Sequence, residues 1–395
     1  MMKDDPAEAG PCVIVKTYQD FSDLPSSYLP LFEKGALDWY DSSLPWFLNF
    51  AKTALDKGDR IRIYGVEKGC GDGASPTPVA ALATRFKEES AGPLSGSRLR
   101  SLSNFYTITY GPLCDLSIGS SAETIGALAK GIASDTYKWD SVELRPLDPD
   151  SPVYPSLVSS LKAAGMVVQR YFCFGNWFLP TAGLSYEEYF KTLPSAMQNT
   201  IKRKTKKLNK TGQARIEIVT GTEHLESSIS AYERIYLSSW KRPEPYPEFV
   251  AGLIRTFVLK GWLRMGVVYL NEQPVASQVW IVKSGRATIY KLGQDQRYDE
   301  FSAGSILTAR LMEHVLEVDK VREVDFGSGD DPYKKIWLSQ RRERWGILAM
   351  NPRSLAGLTS IVRNVGGRTT KNAWRAVRER FQKKEALQRD SRQIT

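Results

Sequence analysis

Histidine and cysteine are scarce in this 395-residue chain, which holds two of the former and four of the latter. The cysteines, Cys12, Cys70, Cys114 and Cys173, stand far apart and form no C-x-x-C pair. That spacing excludes a zinc ribbon and a thioredoxin-type redox site, and leaves buried or tolerated thiols. His224 and His314 are too few and too distant for a histidine metal site or a Ser-His-Asp triad, so no metal is expected. Each lies in a helix-like stretch and reads as structural. No G-x-S-x-G elbow and no Walker A loop occurs. No apolar run approaches the roughly 20 residues needed to span a bilayer. The opening "MMKDDPAEAG" has no apolar core of the kind a signal peptide carries. A cytoplasmic protein without a transmembrane segment is the resulting expectation.

What the chain does have is an ordinary globular composition, 42% hydrophobic and 11% aromatic, at a length sufficient for two domains. Its net charge of +10 is uneven. Most of the excess lies after Asn351, and a second cluster is "IKRKTKKLNK", residues 201–210. The body is otherwise only mildly basic, which argues against a dedicated nucleic-acid domain with one cationic face. "GCGDGA" (69–74) imitates a dinucleotide fingerprint. It is followed by two prolines and a strand-like run where the motif needs a helix, so it reads as a hairpin loop.

A strand–turn–strand unit occurs twice. "DRIRIYGVEK" leads through a loop to "PVAALATRF", and "GWLRMGVVYL" leads through "NEQ" to "PVASQVWIV". Apolar alternation marks both pairs as antiparallel hairpins. The downstream order also matches. The first hairpin is followed by a strand "SNFYTITYGPL", a helix around "SAETIGALAKGIASD" and a strand "WDSVELRPL". The second is followed by "RATIYKLGQD", a helix "SILTARLMEHVLEV" and "REVDFG". Two successive α/β units imply a duplicated fold, with a boundary near Pro180. The expected class is α/β with a mixed sheet: two tandem units of mostly antiparallel central sheets flanked by helices, and a basic C-terminal helix. Between the units, residues 185–212 read as two helices, the second basic and closed by Gly212. Its lysines are a solvated face or a clamp on phosphate or another anion.

Two stretches concentrate chemistry. In "QRYDEFSAGS", Ser302 is placed to cap a helix whose first N–H groups, at Ala303, Gly304 and Ser305, would face an anion. In "DFGSGDDPYKKIW" (325–337), two adjacent acids, a tyrosine and two lysines follow a short strand. Read alone, that stretch is a strand-to-helix turn with Gly327 and Gly329 for freedom, a cap at Ser328 or Asp330, and solvated lysines.

These segments, together with "LPSAMQNTIKRKTKKLNKTGQARIEIVTG" and "YLNEQPVASQVWI", resemble the GNAT acyltransferase superfamily. The details are closest to its duplicated branch, the Fem-like and cellulose-biosynthesis (CelD-type) acetyltransferase-like proteins. The resemblance runs from about Trp46 to about Ala349, with the specific pattern in the second unit. It implies a strand that splays from its neighbour so that acyl-CoA (acetyl-CoA) inserts between them. The usual pyrophosphate loop is longer and glycine-bearing, and here only Gln296, Arg297 and Gly304 correspond. Fem-like members can use aminoacyl-tRNA instead, which leaves the donor open. By this resemblance, residues 1–180 form a degenerate unit that scaffolds or helps bind the acceptor. Residues 181–350 form the acyltransferase unit, and 351–395 a basic tail, helical or partly disordered, on solvent, an anionic membrane surface or nucleic acid.

Acyl transfer to an amine or hydroxyl needs a carboxylate for the nucleophile's proton, donors for the oxyanion and an acid for the leaving group. Asp330 is the candidate base with Asp331 as its rival, Tyr333 the candidate acid, and Lys334 a holder of phosphate or of an anionic acceptor group. Asp325 lies at the strand and orients its neighbours. Gln296, Arg297, Ala303, Gly304 and Ser305 are the donor-binding candidates. Trp240 and Arg242, in a proline-rich loop, and Lys204 are the acceptor-binding candidates. The acceptor implied by analogy is a small molecule, a saccharide or a cell-envelope precursor. Two alternatives stand beside this reading: an aminoacyl-tRNA-dependent transferase gripping RNA with 201–210, and a non-catalytic scaffold.

Overall fold

The computed structural model describes residues 12–69, 75–87, 96–118, 121–239 and 241–366. Residues 70–74, where a hairpin loop is expected, Trp240 and the residues beyond 366 lie outside the described residues. The first half runs β1 (Cys12–Tyr18), α1 (Leu29–Asp38), α2 (Leu44–Thr53), β2 (Asp59–Gly69), β3 (Thr77–Lys87), β4 (Arg98–Ser101), β5 (Leu113–Cys114), α3 (Ser121–Ala133), β6 (Ser141–Leu147), α4 (Val153–Ala163) and β7 (Val167–Pro180). Two helices follow, α5 (Tyr186–Thr192) and α6 (Ser195–Lys210). The second half runs β8 (Ala214–Val219), α7 (Leu225–Ser238), α8 (Pro247–Val258), β9 (Leu263–Leu270), β10 (Gln273–Lys283), β11 (Arg286–Gln294), α9 (Ala303–Glu317), β12 (Glu323–Asp325), α10 (Lys334–Trp337) and β13 (Gln340–Met350). A last helix, α11, covers Leu355–Ile361. Apart from the two-residue β5, the halves repeat each other element for element.

The hairpins carry the clearest mark of that repetition. In β2–β3, Val66 pairs with Ala80 and Glu67 with Pro78, so Val79 is left out of register. In β9–β10, Val268 pairs with Ala276 and Tyr269 with Pro274, and Val275 is left out. Proline has no N–H for the ladder, and a bulge beside it absorbs the missing bond. The shared "PVA" is therefore the same bulge made twice, with both valines buried. The second turn places Asn271 and Glu272 at φ 52° and 58°, the pair of left-handed residues that a two-residue hairpin loop requires.

The two halves do not form separate sheets. One 13-stranded mixed sheet runs β1-β2-β3-β4-β6-β13-β7-β12-β11-β10-β9-β8, with β5 beside β3. The last strands are exchanged: β13, from the second half, lies between β6 and β7, while β7, from the first, reaches β12. Among the described residues only β4–β6 and β11–β12 are parallel. The "SNFYTITYGPL" strand is a correction: pairing with β6 ends at Arg100, and most of that segment is loop.

Side-chain alternation sends Ile61 and Ile63, with Met265 and Val267, to one face, under α1, α2, α7 and α8. Tyr64 and Val66 face α3 and α4 on the other side, and Val268 and Leu270 face α6 and α9. The first cluster spans both halves and joins them into one core, reinforced where Asn49 Nδ2 donates to the Phe249 carbonyl (3.0 Å). Gly65 on β2 has no room to spare: a Cβ there would overlap the hydroxyl of Tyr28 and lie 2.6 Å from its Cζ. Tyr28 is fully buried and donates to Glu67 (3.0 Å). Gly65→Ala is expected to cost about 1–3 kcal/mol, read as a lower urea midpoint at unchanged slope.

Candidate active site

Strands β11 and β12 run side by side for three residue pairs, Arg286 with Glu323, Ala287 with Val324 and Thr288 with Asp325. They then part. The chain after Asp325 stays with β7, where the Phe326 N–H donates to the Trp177 carbonyl (2.9 Å). It then turns away through Gly327 (φ 64°) and Gly329 (φ 101°), while β11 continues to Gln294. A cavity of about 270 Å3 occupies the opening. One wall is β11 from Ile289 to Leu292, the other Phe326 to Ser328, and the corner is closed by Asp331, Tyr333 and Lys334.

Asp325 holds that turn in place. It is fully buried, and its carboxylate accepts from Arg342 Nη2 (2.5 Å), Asn176 Nδ2 (3.0 Å) and the Gly327 N–H (2.6 Å). It is the last residue of β12, at the strand end where the sequence places it. Lys334 is 4% exposed, which corrects the picture of solvated lysines for this residue, while Lys335 is exposed. Its ammonium donates to the carbonyls of Ser328 (2.5 Å) and Gly329 (3.2 Å) and lies 3.4 Å from Asp331 Oδ2. Burial pushes its pKa down, against the pull of Asp331. Tyr333 is 41% exposed and packs edge-on against Phe326 at 5.5 Å. Burial, with Asp331 adding to it, raises its phenol pKa, so the group remains protonated at neutral pH. Neither Ser328 nor Asp330 caps α10, whose first flanking residue is Tyr333.

Asp330 stands apart from these groups. Arg341 grips its carboxylate with both Nε and Nη2 (2.7–3.1 Å), Trp177 Nε1 donates to it at 2.8 Å, and the guanidinium lowers its pKa. It does not line the cavity, whereas Asp331 does.

The start of α9 is also more committed than expected. Ser302 adopts φ 52° and makes no side-chain cap. The Gly304 N–H donates to Gln294 Oε1 (3.0 Å), and the Ser305 N–H to the Ser302 carbonyl (3.0 Å). Ala303 is buried. An anion at this helix start would have to displace the Gln294 side chain. Gln296 and Arg297 lie in the short helical turn just before it, with the Arg297 side chain 75% exposed and paired to Asp295 (2.6 Å). Lys204 donates to the Glu300 carbonyl and Lys207 to its carboxylate, each at 2.5 Å, tying α6 to that turn. Ser185 and Glu188 form a reciprocal cap on α5, and α6 buries only Ile201 and Leu208. The rest of α6 leaves an open cationic strip of Lys202, Arg203, Lys206 and Lys210. Trp240 lies outside the described residues, and Arg242 is exposed on the loop after α7.

Two contributions to the cavity come from residues that sequence reasoning passed over. Lys241, between Trp240 and Arg242, enters the cavity and donates to the Leu292 carbonyl (2.5 Å). Burial foremost, and then the neighbouring Lys291, bring its pKa down to about 8. Lys291 sits inside β11 among apolar residues and pairs with Glu244 at 2.5 Å. A lysine at an inward position of a buried strand was the available signal. The other contribution is the loop after β4. It closes the first half's own opening: the hydroxyls of Ser101 and Ser103 donate to the Arg145 carbonyl (2.8 and 2.6 Å), and the Tyr110 N–H donates to that of Pro146 (2.7 Å). The same loop delivers Phe105, Tyr106 and Ile108 to the second cavity, where Tyr106 donates to Glu244. Duplication has thus left one opening laced shut and one open.

Among the described residues no cluster of three metal-ligating side chains occurs, and no helix is long and apolar enough to cross a membrane. Residues 195–335, from α6 into α10, match the family model of the acetyltransferase (GNAT) domain. No curated protein matches. The fold is similar to that of the crystal structure of FemX, at 12% identity, with 81% of this chain and 93% of that one covered and a TM-score of 0.54. It is also similar to a conserved protein of unknown function from Bacteroides thetaiotaomicron, at 8% identity, with 84% and 100% covered and a TM-score of 0.51.

Proposed function

We propose that this chain, whose residues 195–335 match the GNAT acetyltransferase domain model, is an acyltransferase that uses the opening between β11 and β12. The carrying observation is that these strands separate after Thr288 and Asp325, leaving a cavity bordered by Asp331, Tyr333 and Lys334. The donor in this reading is an acyl-CoA. The acceptor is an amine or hydroxyl on a small molecule, saccharide or cell-envelope precursor, as in the Fem-like and CelD-type branch. The first half supplies the aromatic wall at Phe105 and Tyr106.

On the side away from β10, no strand among the described residues pairs with β11 beyond Thr288, so a thioester has room to lie with its carbonyl near the 331–334 corner. Asp331 takes the proton of the attacking amine or hydroxyl as the new C–N or C–O bond forms. Tyr333, kept protonated by burial, gives its proton to the sulfur as the C–S bond breaks. Lys334, pinned by two carbonyls, keeps the corner rigid and positive. No covalent enzyme intermediate is needed. Placement of the CoA diphosphate at α9 requires Gln294 to leave Gly304, with Arg297 the nearby cation. A screen of acceptors with labelled acetyl-CoA, read by mass spectrometry, tests the proposal. Calorimetric binding of acetyl-CoA without turnover on any acceptor would favour a scaffold.

A second reading, transfer from aminoacyl-tRNA, is favoured by the α6 strip. Under it, replacing Lys202, Arg203, Lys206 and Lys210 together with glutamine weakens tRNA binding and reduces the slope of log K against log salt by about 3–4. An unchanged slope rejects that role for α6. The expected basic tail falls largely beyond residue 366, outside the described residues. A cytoplasmic site of action and tail contact with a membrane surface belong to this proposal.

A further inference from the structure

Away from the β11–β12 opening, a groove of about 1360 Å3 runs between α1, α2 and α8, so that both halves of the chain build it. It shares no lining residue with the cavity between those strands. Leu29 and Leu37 on α1 and Leu44 and Leu48 on α2 recur at multiples of four, which puts each pair on one side of its helix. Leu29, Leu37 and Leu48 are exposed, although the core beneath these helices is already closed. An apolar trough of this size on the surface calls for an occupant.

Charge marks one end of it. Arg286 donates to the Asp38 carbonyl at the end of α1, and Tyr40 packs edge-on against Phe257 at the end of α8. The ends of α1 and α8 and the start of α2 therefore meet, and Lys260, Trp262 and Lys283 line the groove there. The Trp262 ring lies 5.0 Å from that of Phe257 and carries the Lys283 ammonium at 5.0 Å. Neither Lys260 nor Lys283 forms an ion pair among the described residues. Lys34 and Arg255 also line the groove, but Asp115 (2.5 Å) and Glu226 (2.7 Å) already engage them. The two carboxylates in the lining are Glu33, on α1, and Glu248, in the first turn of α8. Helix rise puts Glu248 roughly 18 Å from Lys260, at the far end beside Lys52. The α8 dipole accounts for a cation at its end, not for the apolar trough that leads away from it.

We propose that this groove binds one long-chain anionic amphiphile, such as a fatty acid, as a monomer. The chain lies along α2 and α8, and the head sits between Lys260 and Lys283. The length of about 18 Å is the reach of an extended chain of roughly fourteen carbons. Charge complementarity selects this occupant over two others. The residues after Gly366 carry nine Lys and Arg against three Asp and Glu, so they would bring cations to a cationic end. A second copy paired by a two-fold axis would return the same cations from its own side. The site is independent of the acyltransferase reading.

Calorimetry with the full chain and myristate, kept below its critical micelle concentration, reads the binding directly. Myristate is expected to bind at least about a hundredfold more tightly than hexanoate, because eight more methylenes leave water. It is expected to bind about tenfold more tightly than uncharged monomyristin, the share of the charged head. Leu48→Gln, at an exposed position, should lower affinity for myristate about tenfold. Lys260→Gln with Lys283→Gln should remove the preference over monomyristin and keep the preference over hexanoate. Lys202→Gln with Lys206→Gln, an equal change of charge on α6, should leave both preferences in place. The wild-type series is an independent check should a variant not fold. Four results overturn the proposal: no binding of monomeric myristate, equal affinity for the three ligands, preferences untouched by the Leu48 and Lys260/Lys283 variants, or binding to phosphatidylglycerol vesicles alone. Self-association of the chain that Leu48→Gln abolishes would also overturn it, by making the groove an interface between copies.

Discussion

Tyr333→Phe is expected to lower kcat for acyl transfer by about 10²–10⁴-fold, the range over which a positioned general acid acts. Affinity for the donor should stay within about twofold. The substitution removes only a hydroxyl. The ring keeps its edge-on contact with Phe326, so the corner retains its shape. Because burial raises the phenol pKa above its ordinary value, any loss of wild-type activity from phenol ionisation should be centred above pH 10. Single-turnover kinetics with acetyl-CoA separates binding from chemistry. A fall confined to donor affinity would make Tyr333 a binding residue and return the acid's role to solvent.

Asp325→Ala should have the largest effect on stability, about 3–5 kcal/mol, because it removes one partner from a buried ionic network. Arg342 would lose its fully buried partner and keep Glu323 (2.8 Å), and Asn176 Nδ2 and the Gly327 N–H would lose an acceptor. Against an ordinary folding free energy of about 5–15 kcal/mol, that is a large share. Urea unfolding followed by far-UV circular dichroism would show it as a drop in midpoint. Asp331→Ala, at an exposed side chain six residues on that lies 3.4 Å from the Lys334 ammonium, should cost about 1 kcal/mol. Equal, small effects of both would mean that the network does not hold the turn and that the parting of β11 and β12 has another cause.

Much of the architecture was legible because it follows from local patterns. Alternation in residues 263–270 and 277–282 marked two strands, and Gly212 at φ 68° ends the basic helix as anticipated. The recurring "PVA" signalled a repeat, although its meaning as a bulge needed the register. The site was only partly legible. Tyr333, Lys334 and Asp331 do share a cavity, but Asp330, one peptide bond from Asp331, is claimed by Arg341 and Trp177 on the other side of the chain. Adjacent residues point to different partners, and spacing alone does not tell them apart. Lys241 was missed between two residues that were chosen, since a lysine in a proline-rich loop carries no mark of burial.

The amino-acid sequence by itself determined the repeated order of elements, the hairpins, the basic helix and the stretch of chain where the chemistry concentrates. All of these depend on residues a few positions apart. Only the tertiary structure decided that the halves share one sheet by exchanging β7 and β13, that one opening is closed and the other open, and that three lysines meet in the latter. Those outcomes rest on partners such as Tyr106 with Glu244 and Arg342 with Asn176, 138 and 166 residues apart, which only the packing of the whole chain brings together.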